Sequence, residues 1–299
     1  MNRAPQHPVQ GFLAALGAVA VLSIMDALMK HLVLVLGLIA VSFWRSAASV
    51  IISFLLYLPG RGSLPSRRTI RLHVVRSLIV TLLAALFFWG IARVPLAQAI
   101  ALTFIAPLIA MLLAAWTLDE RIGRRSAVGA VAAFAGVLVI VIGQARSNVD
   151  EDVLLGIAAI IASALCYAVN IVLMRHQALA AKPVEINFFQ SLTVTIVWVC
   201  VTALEGAPSW PRLEWYWILL AAILSTSGTL LFAWGYARGP ASYLAVTEYS
   251  GFLWASVMGW LVFSERVSLY TAAGAVLIVG GCWVGSRSKA LPPEIDVAA

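Results

Sequence analysis

The sequence is poor in charged residues and in cysteine. Of its 299 residues only 11% are charged, whereas 62% are hydrophobic. A soluble domain with so little charge could not cover its surface with polar groups. The composition therefore predicts an integral membrane protein. The three cysteines, Cys166, Cys200 and Cys282, are odd in number and fall inside apolar runs, so a disulfide framework is not expected.

Sequence motifs of several enzyme classes are also lacking. No Gly-rich phosphate loop ending in Lys-Ser or Lys-Thr occurs, so we expect no ATP hydrolysis by this chain. Neither a His-Glu-x-x-His nor a Gly-x-Ser-x-Gly pattern is found, and the four histidines are predicted at or outside the ends of apolar runs: His7, His31, His73 and His176. We predict no catalytic residue, metal site or cofactor. A membrane-embedded enzyme is the less favoured alternative.

Acidic residues are outnumbered by basic ones, 13 against 20, which gives a formal net charge of +7. The basic residues lie mostly in links between apolar runs and not on an amphipathic soluble face, so nucleic acid is not expected as a partner. Most of them fall in links on the side that holds the N-terminus. The positive-inside rule then places both termini in the cytoplasm.

Long apolar runs are what the sequence has in place of charge. A bilayer core of about 30 Å needs about 20 helical residues. Ten runs fit this length and predict an all-α membrane fold of ten transmembrane helices: 9–29, 36–58, 72–92, 95–117, 126–143, 153–174, 184–204, 215–237, 240–262 and 269–286.

The second half of the chain repeats the first at a constant offset of 145 residues, as in Trp89-Gly90 and Trp234-Gly235. We predict two five-helix units, 9–143 and 153–288. Because five is odd, the second unit must enter the membrane from the opposite side. Two inverted halves can open a shared site first to one face and then to the other, which is alternating access. A duplication that only builds a stable bundle is the less favoured alternative.

Two charged residues fall inside predicted spans. Asp26 stands four residues before Lys30, and an ion pair between them is the simpler interpretation, while a gate or ligand contact is the alternative. Arg45 lies about nine residues into the second span, and its repeat equivalent is the polar Gln190. Hydrogen bonding between helices is the first interpretation of Arg45, and binding of a substrate carboxylate is the second.

Glu248 lies eight residues past Pro240 with no basic residue within four positions. Either it pairs with Arg45 or it faces a cavity, to bind a cationic amine or carry a proton. A cavity needs a few polar anchors among apolar walls, and the predicted substrate-binding residues are Trp89, Thr103, Phe104, Tyr167, Asn170, Trp234, Glu248 and Tyr249. Packing between helices is the simpler alternative for several of them. Pro107 at mid-span predicts a helix kink.

A set of motifs resembles the EamA-type unit of the drug/metabolite transporter superfamily. The matching residues are Phe104-Ile105-Ala106-Pro107-Leu108, Leu118-Asp119-Glu120-Arg121, Gly129 and Gly136, with Arg45 in the second span. The resemblance implies ten helices, both termini inside, and a central cavity lined by the first, third, fourth, sixth, eighth and ninth helices.

Within that superfamily the chain looks most like exporters of the YddG type, which carry aromatic and other amino acids. This implies a secondary exporter of amino acids or related metabolites in the inner membrane of a bacterial cell. The alternatives are a channel or facilitator, and a transporter of a different metabolite or drug. The acidic residues Glu120 and Glu265, just before the fifth and tenth spans, are expected to favour the N-termini of those helices.

The inverted repeat predicts that equivalent links emerge on opposite faces of the membrane. Accessibility tags in 61–66 and in its equivalent 206–211 should therefore label from opposite sides, whereas tags at the two termini should label from the same side. Labelling of both links from one face would contradict the inverted arrangement.

Overall fold

The computed structural model describes residues 8–60, 65–106, 109, 124–145, 151–236, 247–248 and 250–286, and the regular structure within these ranges is entirely helical. The prediction of an all-α fold is thus confirmed. The helices, in chain order, are α1 (Pro8–Leu36), α2 (Leu38–Tyr57), α3 (Arg67–Ile91), α4 (Leu96–Thr103), α5 (Arg124–Ala145), α6 (Glu151–Ala180), α7 (Pro183–Glu205), α8 (Trp215–Tyr236), α9 (Ser250–Phe263) and α10 (Leu269–Ser286), with a 3₁₀ turn at Leu58–Gly60.

Six of these helices are long and apolar enough to cross a bilayer, namely α1, α2, α3, α6, α7 and α8. They coincide with the first three spans of each predicted unit. The four remaining helices overlap the other predicted spans, and Pro107, with its predicted kink, lies outside the described residues. Large apolar side chains such as Leu13, Leu82 and Ile196 are exposed on the outer surface, as lipid-facing positions require.

Helix α1 is longer than its predicted span and passes through Lys30, which the sequence had suggested would lie in a link. Lys30 is buried and has an acidic partner, so its charge does not end the helix. The helix ends instead at Gly37, whose φ of 81° lies in the left-handed region that favours glycine. This single residue separates α1 from α2.

Helices of the first half pack against helices of the second in pairs that the repeat relates. Helix α3 packs against α6, and their repeat equivalents α8 and α1 pack against each other. The pairs α2 with α8 and α7 with α3 are related in the same way. In addition, α2 packs against its own equivalent α7, and α5 against its equivalent α10. The packing therefore follows an approximate two-fold relation between the halves.

Equivalent helices run in opposite directions. Along α2 and α7, Ser53 lies 3.1 Å from Ser191 between hydroxyl oxygens, while Tyr57, further along α2, stacks on Phe188, which is earlier along α7. Along α5 and α10, Gly136 approaches Ile278, while the later Gly143 approaches the earlier Tyr270. Both pairs are antiparallel.

Glycines set the closest approaches between the halves. A Cβ atom built on Gly90 would lie 2.9 Å from the carbonyl oxygen of Gly156, and one built on the repeat equivalent Gly235 would lie 2.9 Å from that of Gly11. Between α5 and α10, a Cβ atom on Gly136 would lie 2.6 Å from the carbonyl oxygen of Gly274. Small residues permit this backbone contact, which is a common way for membrane helices to associate.

The α5–α10 contact predicts a specific loss of stability. Gly274→Ala should destabilise the fold by roughly 1–3 kcal/mol, because the added methyl group meets backbone that cannot give way as a side chain does. The control is Gly280→Ala on the same helix, where a Cβ atom would meet nothing within 4 Å. Thermal unfolding of the purified proteins in detergent measures both. Equal melting temperatures for the two variants would contradict the close contact.

Candidate functional site

A cavity of about 350 Å³ lies between the two halves. Residues of α1, α2, α3, α4, α6, α7 and α8 line it, together with Glu248 and Gly251 at the start of α9. The family resemblance implied six lining helices, all of which contribute. The structure corrects that expectation, because α2 and its repeat equivalent α7 also line the cavity and present polar side chains to it.

The cavity lies where the two-fold relation places the halves against each other. Its lining includes many residues separated by the repeat offset. The pairs with a polar or aromatic side chain on both sides are Ser42 with Asn187, Arg45 with Gln190, Ser46 with Ser191, Thr81 with Thr226, Phe87 with Phe232, and Thr103 with Glu248. A ligand in this cavity would therefore touch equivalent surfaces of both halves.

Arg45 is the basic residue among the described lining residues. Its Nη1 donates to the Ser225 hydroxyl at 3.4 Å, and its guanidinium carbon lies 5.6 Å from the centre of the Phe88 ring. The first interpretation from the sequence, hydrogen bonding between helices, is present as this long contact from α2 to α8. Its buried Nε has no hydrogen-bond partner within the described part of the chain. Since a guanidinium has five N–H donors and no acceptor, Arg45 retains donor capacity for an anion.

Two neutral groups beside Arg45 also keep hydrogen-bonding capacity. The side-chain oxygens of Ser49 and Gln190 are buried without a partner among the residues that the structure describes, and both side chains line the cavity. Buried polar groups are normally paired, so each such atom calls for an explanation. A polar solute or water in the cavity would supply the missing partners.

Two carboxylates, Asp26 and Glu248, line the same cavity. Asp26 interacts electrostatically with Arg45, and Glu248 with the phenol of Tyr167. Within the described lining, these two carboxylates and Arg45 are the charged groups. The cavity can thus offer both signs of charge to one solute.

Lys30, the expected ion-pair partner of Asp26, instead pairs with Glu265. Its ammonium group also donates to the carbonyl oxygen of Val94 at 2.7 Å, and the Glu265 carboxylate accepts the backbone N–H of Leu96 at 2.7 Å. This contact ties the end of α1 to the α3–α4 and α9–α10 links. The prediction of an ion pair between Asp26 and Lys30 is therefore wrong. The partner of Lys30, Glu265, lies in a distant link, and spacing along one helix cannot reveal such a contact.

The expected role of Glu265 also changes. The Glu265 carboxylate binds the backbone N–H of Leu96, the first residue of α4, and so acts at the N-terminus of α4 and not of α10. The chain turns back just before it, at Ser264, whose φ is 55°. The N-terminus of α10 uses Ser268 instead, which accepts the backbone N–H of Thr271 at 3.0 Å. Glu120 lies outside the described residues.

The structure brings together part of the predicted substrate-binding set. Thr103, Phe104, Tyr167 and Glu248 all line the cavity with Asp26 and Arg45, whereas Tyr249 lies outside the described residues. Their role in binding stays a prediction.

Three members of that set lie elsewhere. Asn170 is buried against α3, where it accepts a hydrogen bond from Arg76 Nε at 2.9 Å. The guanidinium carbon of Arg93 lies 3.6 Å from the centre of the Trp89 ring, and Trp89 lines a separate surface crevice. Trp234 is 40% exposed at the end of α8. Hydropathy identified these residues as unusual in their spans but could not assign the direction in which each side chain points.

Sequence reasoning missed the serines of α2. Ser42, Ser46, Ser49 and Ser53 recur at intervals of four and three residues, all are buried, and the first three line the cavity. That spacing is one face of a helix and is a readable signal of a polar stripe. The aromatic Trp198 was also missed, whereas Phe87 and Phe232 were expected to be either packing residues or aromatic walls of a cavity, and both line it.

Two buried residues of α3 contradict their predicted places. His73 was expected at the end of a span, and Arg76, near the start of the predicted span 72–92, was counted among the basic residues on the side of the N-terminus, yet His73 is 0% and Arg76 5% exposed. Their repeat equivalents, Ile218 and Ala221, are fully buried as well. Comparing the halves position by position could have identified both as interior residues.

The fold and the cavity together define a multi-pass membrane protein with a solute-sized site between its halves. The chain belongs to the EamA-like transporter family, which matches it twice, at residues 9–142 and 154–287. The predicted superfamily and the prediction of a transporter are confirmed at this level.

Relatives with named functions span nearly the whole chain. The pseudopaline exporter of Pseudomonas aeruginosa is 29% identical over 280 residues, covering 93% of this chain and 96% of the relative. The S-adenosylmethionine uptake transporter of Rickettsia bellii is 25% identical, covering 90% and 91%. The riboflavin transporter of Vibrio cholerae is 25% identical, covering 91% of each. These names do not single out aromatic amino acids, so the narrower resemblance to YddG-type exporters is not what these relatives show.

A solved crystal structure shares the fold. It aligns with a TM-score of 0.61 at 18% identity and covers 91% of this chain and 98% of the other. At that identity the likeness concerns the fold alone.

The free donor capacity of Arg45 generates a prediction. Arg45→Gln should raise the half-saturating concentration of a carboxylate-bearing solute by about 10- to 100-fold, because a hydrogen bond to a charged group contributes about 1.5–3 kcal/mol. Solute exchange in proteoliposomes measures this. Arg93→Gln is the matched control, since Arg93 lies outside the cavity on Trp89. An unchanged half-saturating concentration for Arg45→Gln would limit Arg45 to its contact between helices.

Proposed function

We propose that this protein is a secondary transporter that moves small zwitterionic solutes, amino acids or amino-acid-like metabolites, across the bacterial inner membrane by alternating access. The observation that carries the proposal is the cavity between the repeat-related halves, where a guanidinium and two carboxylates stand among aromatic walls. Export is the direction that we propose, in line with the relative named as an exporter.

The proposal includes the complete topology of ten transmembrane helices in two inverted units, with both termini in the cytoplasm. Antiparallel packing of α2 with α7 and of α5 with α10 supports it. Repetition of the same glycine contact at Gly90 and Gly235 supports it as well. Such halves can exchange conformations, so that the shared cavity opens to one face at a time.

The charges of the cavity suit a zwitterion. Arg45 has donors for a carboxylate, and Asp26 and Glu248 have acceptors for an ammonium group. The rings of Phe87 and Phe104 line the same space and favour an apolar or aromatic side chain of the solute. A few polar anchors among apolar walls are typical of small-molecule sites. Thr103 and Tyr167 add hydroxyl groups to these anchors.

In this proposal the Lys30–Glu265 pair holds one side of the cavity closed. It joins α1 to the α3–α4 and α9–α10 links, which all lie at one end of the bundle. Opening toward that end requires the pair to separate. A buried pair costs free energy when it is broken, so the closed arrangement is favoured until the second half moves.

Counterflow in proteoliposomes tests the proposed function. Labelled amino acids are offered as a panel, and wild type is compared with Glu248→Gln at several pH values. We expect the wild type to accumulate at least one member above empty vesicles. The variant should lose affinity about tenfold or more, because an ammonium group loses its ionised acceptor, and its pH dependence should flatten.

Glu205→Gln serves as the control, because Glu205 is an exposed carboxylate at the end of α7. It should behave as the wild type. If no solute of the panel crosses above empty vesicles, the amino-acid proposal is overturned. If Glu248→Gln transports as the wild type does across the pH range, Glu248 has no role in binding.

A further inference from the structure

A second polar cluster lies apart from the cavity lining, where α3, α6 and α7 meet. Its members form a chain of side-chain contacts from Glu185 on α7 to His73 on α3, then to Gln177 on α6 and back to Arg76 on α3. His73 and Gln177 are fully buried. Glu185 is 19% exposed and connects the chain to the surface.

The contacts fix which atoms carry protons. Arg76 Nη1 donates to Gln177 Oε1 at 2.7 Å. A guanidinium has only donors, so the amide of Gln177 must present its oxygen to Arg76 and its nitrogen to His73. That nitrogen donates to His73 Nδ1, which therefore carries no proton. The neutral ring holds its proton on Nε2 and donates it to Glu185 Oε1 at 3.3 Å.

A second proton on this ring is incompatible with the arrangement. If Nδ1 takes up a proton, two donors, the ring N–H and the amide nitrogen of Gln177, face each other. The amide must then turn so that its oxygen accepts from His73. Its nitrogen would in turn face Arg76, again donor to donor. Arg76 thus loses Gln177 and keeps its 2.9 Å hydrogen bond to Asn170.

We propose that His73 is a proton-binding site whose occupation releases Arg76 from Gln177, and that this couples proton binding to the transport cavity. The coupling rests on the proposed function. Arg76 interacts electrostatically with Tyr167, a cavity residue that interacts in turn with Glu248. A guanidinium freed from Gln177 changes the field at those two residues, so the cavity responds to whether His73 holds its second proton.

His73 is surrounded by groups that act on its charge in opposite directions. The charged groups that face it are Glu185 from α7 and Arg76 from its own helix, while α6 contributes the neutral amide of Gln177. The ring of Phe189 stacks on the imidazole at 5.0 Å and is itself in contact with Tyr57 of α2. Glu185 stabilises an imidazolium, whereas burial and the positive charge of Arg76 oppose it, so the charge of the ring depends on all three.

The repeat-related α1–α8 interface offers an internal comparison. The equivalents of His73, Arg76, Asn170 and Gln177 are Ile218, Ala221, Met25 and Leu32, and all four are buried in the hydrophobic core. The α1–α8 interface is therefore closed by apolar packing where the equivalent α3–α6 interface holds the polar chain. The fold does not require polar residues at these positions, which indicates a role beyond packing.

Nitrogen NMR of the full-length protein in lipid nanodiscs tests the proton site without a transported solute. Protein labelled with ¹⁵N at histidine and arginine is titrated between about pH 8 and 5, the range in which histidine changes charge. His73→Gln and Arg76→Lys assign the two signals. We expect the Nε2–H tautomer of His73 at high pH, conversion to the imidazolium on acidification, and a shift of the Arg76 Nη signal with the same midpoint, because Nη1 is the atom that loses Gln177.

Gln177→Glu separates proton binding from its consequence. A carboxylate accepts from Arg76 and from a protonated His73 at once, so His73 should still change charge while the Arg76 signal no longer moves with it. The proposal is overturned if wild-type His73 has the Nδ1–H tautomer, stays neutral throughout, or changes charge without a shift of Arg76. A response of Arg76 in Gln177→Glu equal to that of the wild type would also overturn it.

The outcomes for the two proposals are distinguishable. A coupled response of His73 and Arg76 with no counterflow of any panel solute would overturn the proposed transport of amino acids and support the proton site. If the protein shows counterflow but the Arg76 signal does not change when His73 is protonated, the transport proposal is supported and only the proton-site proposal is overturned.

Discussion

The two halves of the chain are held together where helices meet at glycines. Inside a bilayer, lipid tails are as apolar as the side chains they would replace, so helices associate by close packing and by polar contacts. Gly90 against Gly156 and Gly235 against Gly11 repeat one such contact across the two-fold relation. A side chain at Gly90 or Gly235 would meet the backbone of the partner helix and push the helices apart. The position of the cavity between the halves depends on these approaches, because they set how closely α3 and α8 lie to their partners.

A nearly symmetric scaffold here carries chemistry that is not symmetric. Thr103 and Glu248 occupy equivalent places in the cavity wall, as do Arg45 and Gln190. In each pair one half supplies a charge and the other a neutral polar group. Two-fold packing needs only matching shapes, so charges can diverge without loss of fold. A zwitterion has distinct ends, and an asymmetric set of charges within a symmetric frame can hold it in one orientation while the halves exchange conformations.

The repeat and the apolar runs were enough to predict the helical fold and an interface between related halves, because both depend on patterns within one stretch of sequence. Lys30 shows the limit of prediction from patterns within one stretch of sequence. Its spacing to Asp26 suggested a local pair, but its partner Glu265 lies 235 residues away. The predictions for Arg76 and His73 were wrong for a similar reason, because hydropathy places a polar or charged residue near the end of a span in water, whereas both are buried. Tyr167 and Asn170 are three residues apart, yet one faces the cavity and the other faces Arg76.

The polar cluster at α3 and α6 is costly in a membrane protein, and the chain itself shows a cheaper solution. Burying a guanidinium and an imidazole among helices forfeits their hydration, and apolar residues of similar volume can often replace such groups without loss of stability. Ile218, Ala221, Met25 and Leu32 fill the equivalent interface in that way. Stability alone would favour the same packing at both interfaces. The α3–α6 interface nevertheless keeps Arg76, His73 and Gln177 in a hydrogen-bonded chain, which can take up one more proton only if an existing contact breaks. A change of charge that must break a contact is what links a buried group to motion elsewhere, and Tyr167 places the cavity within reach of that change.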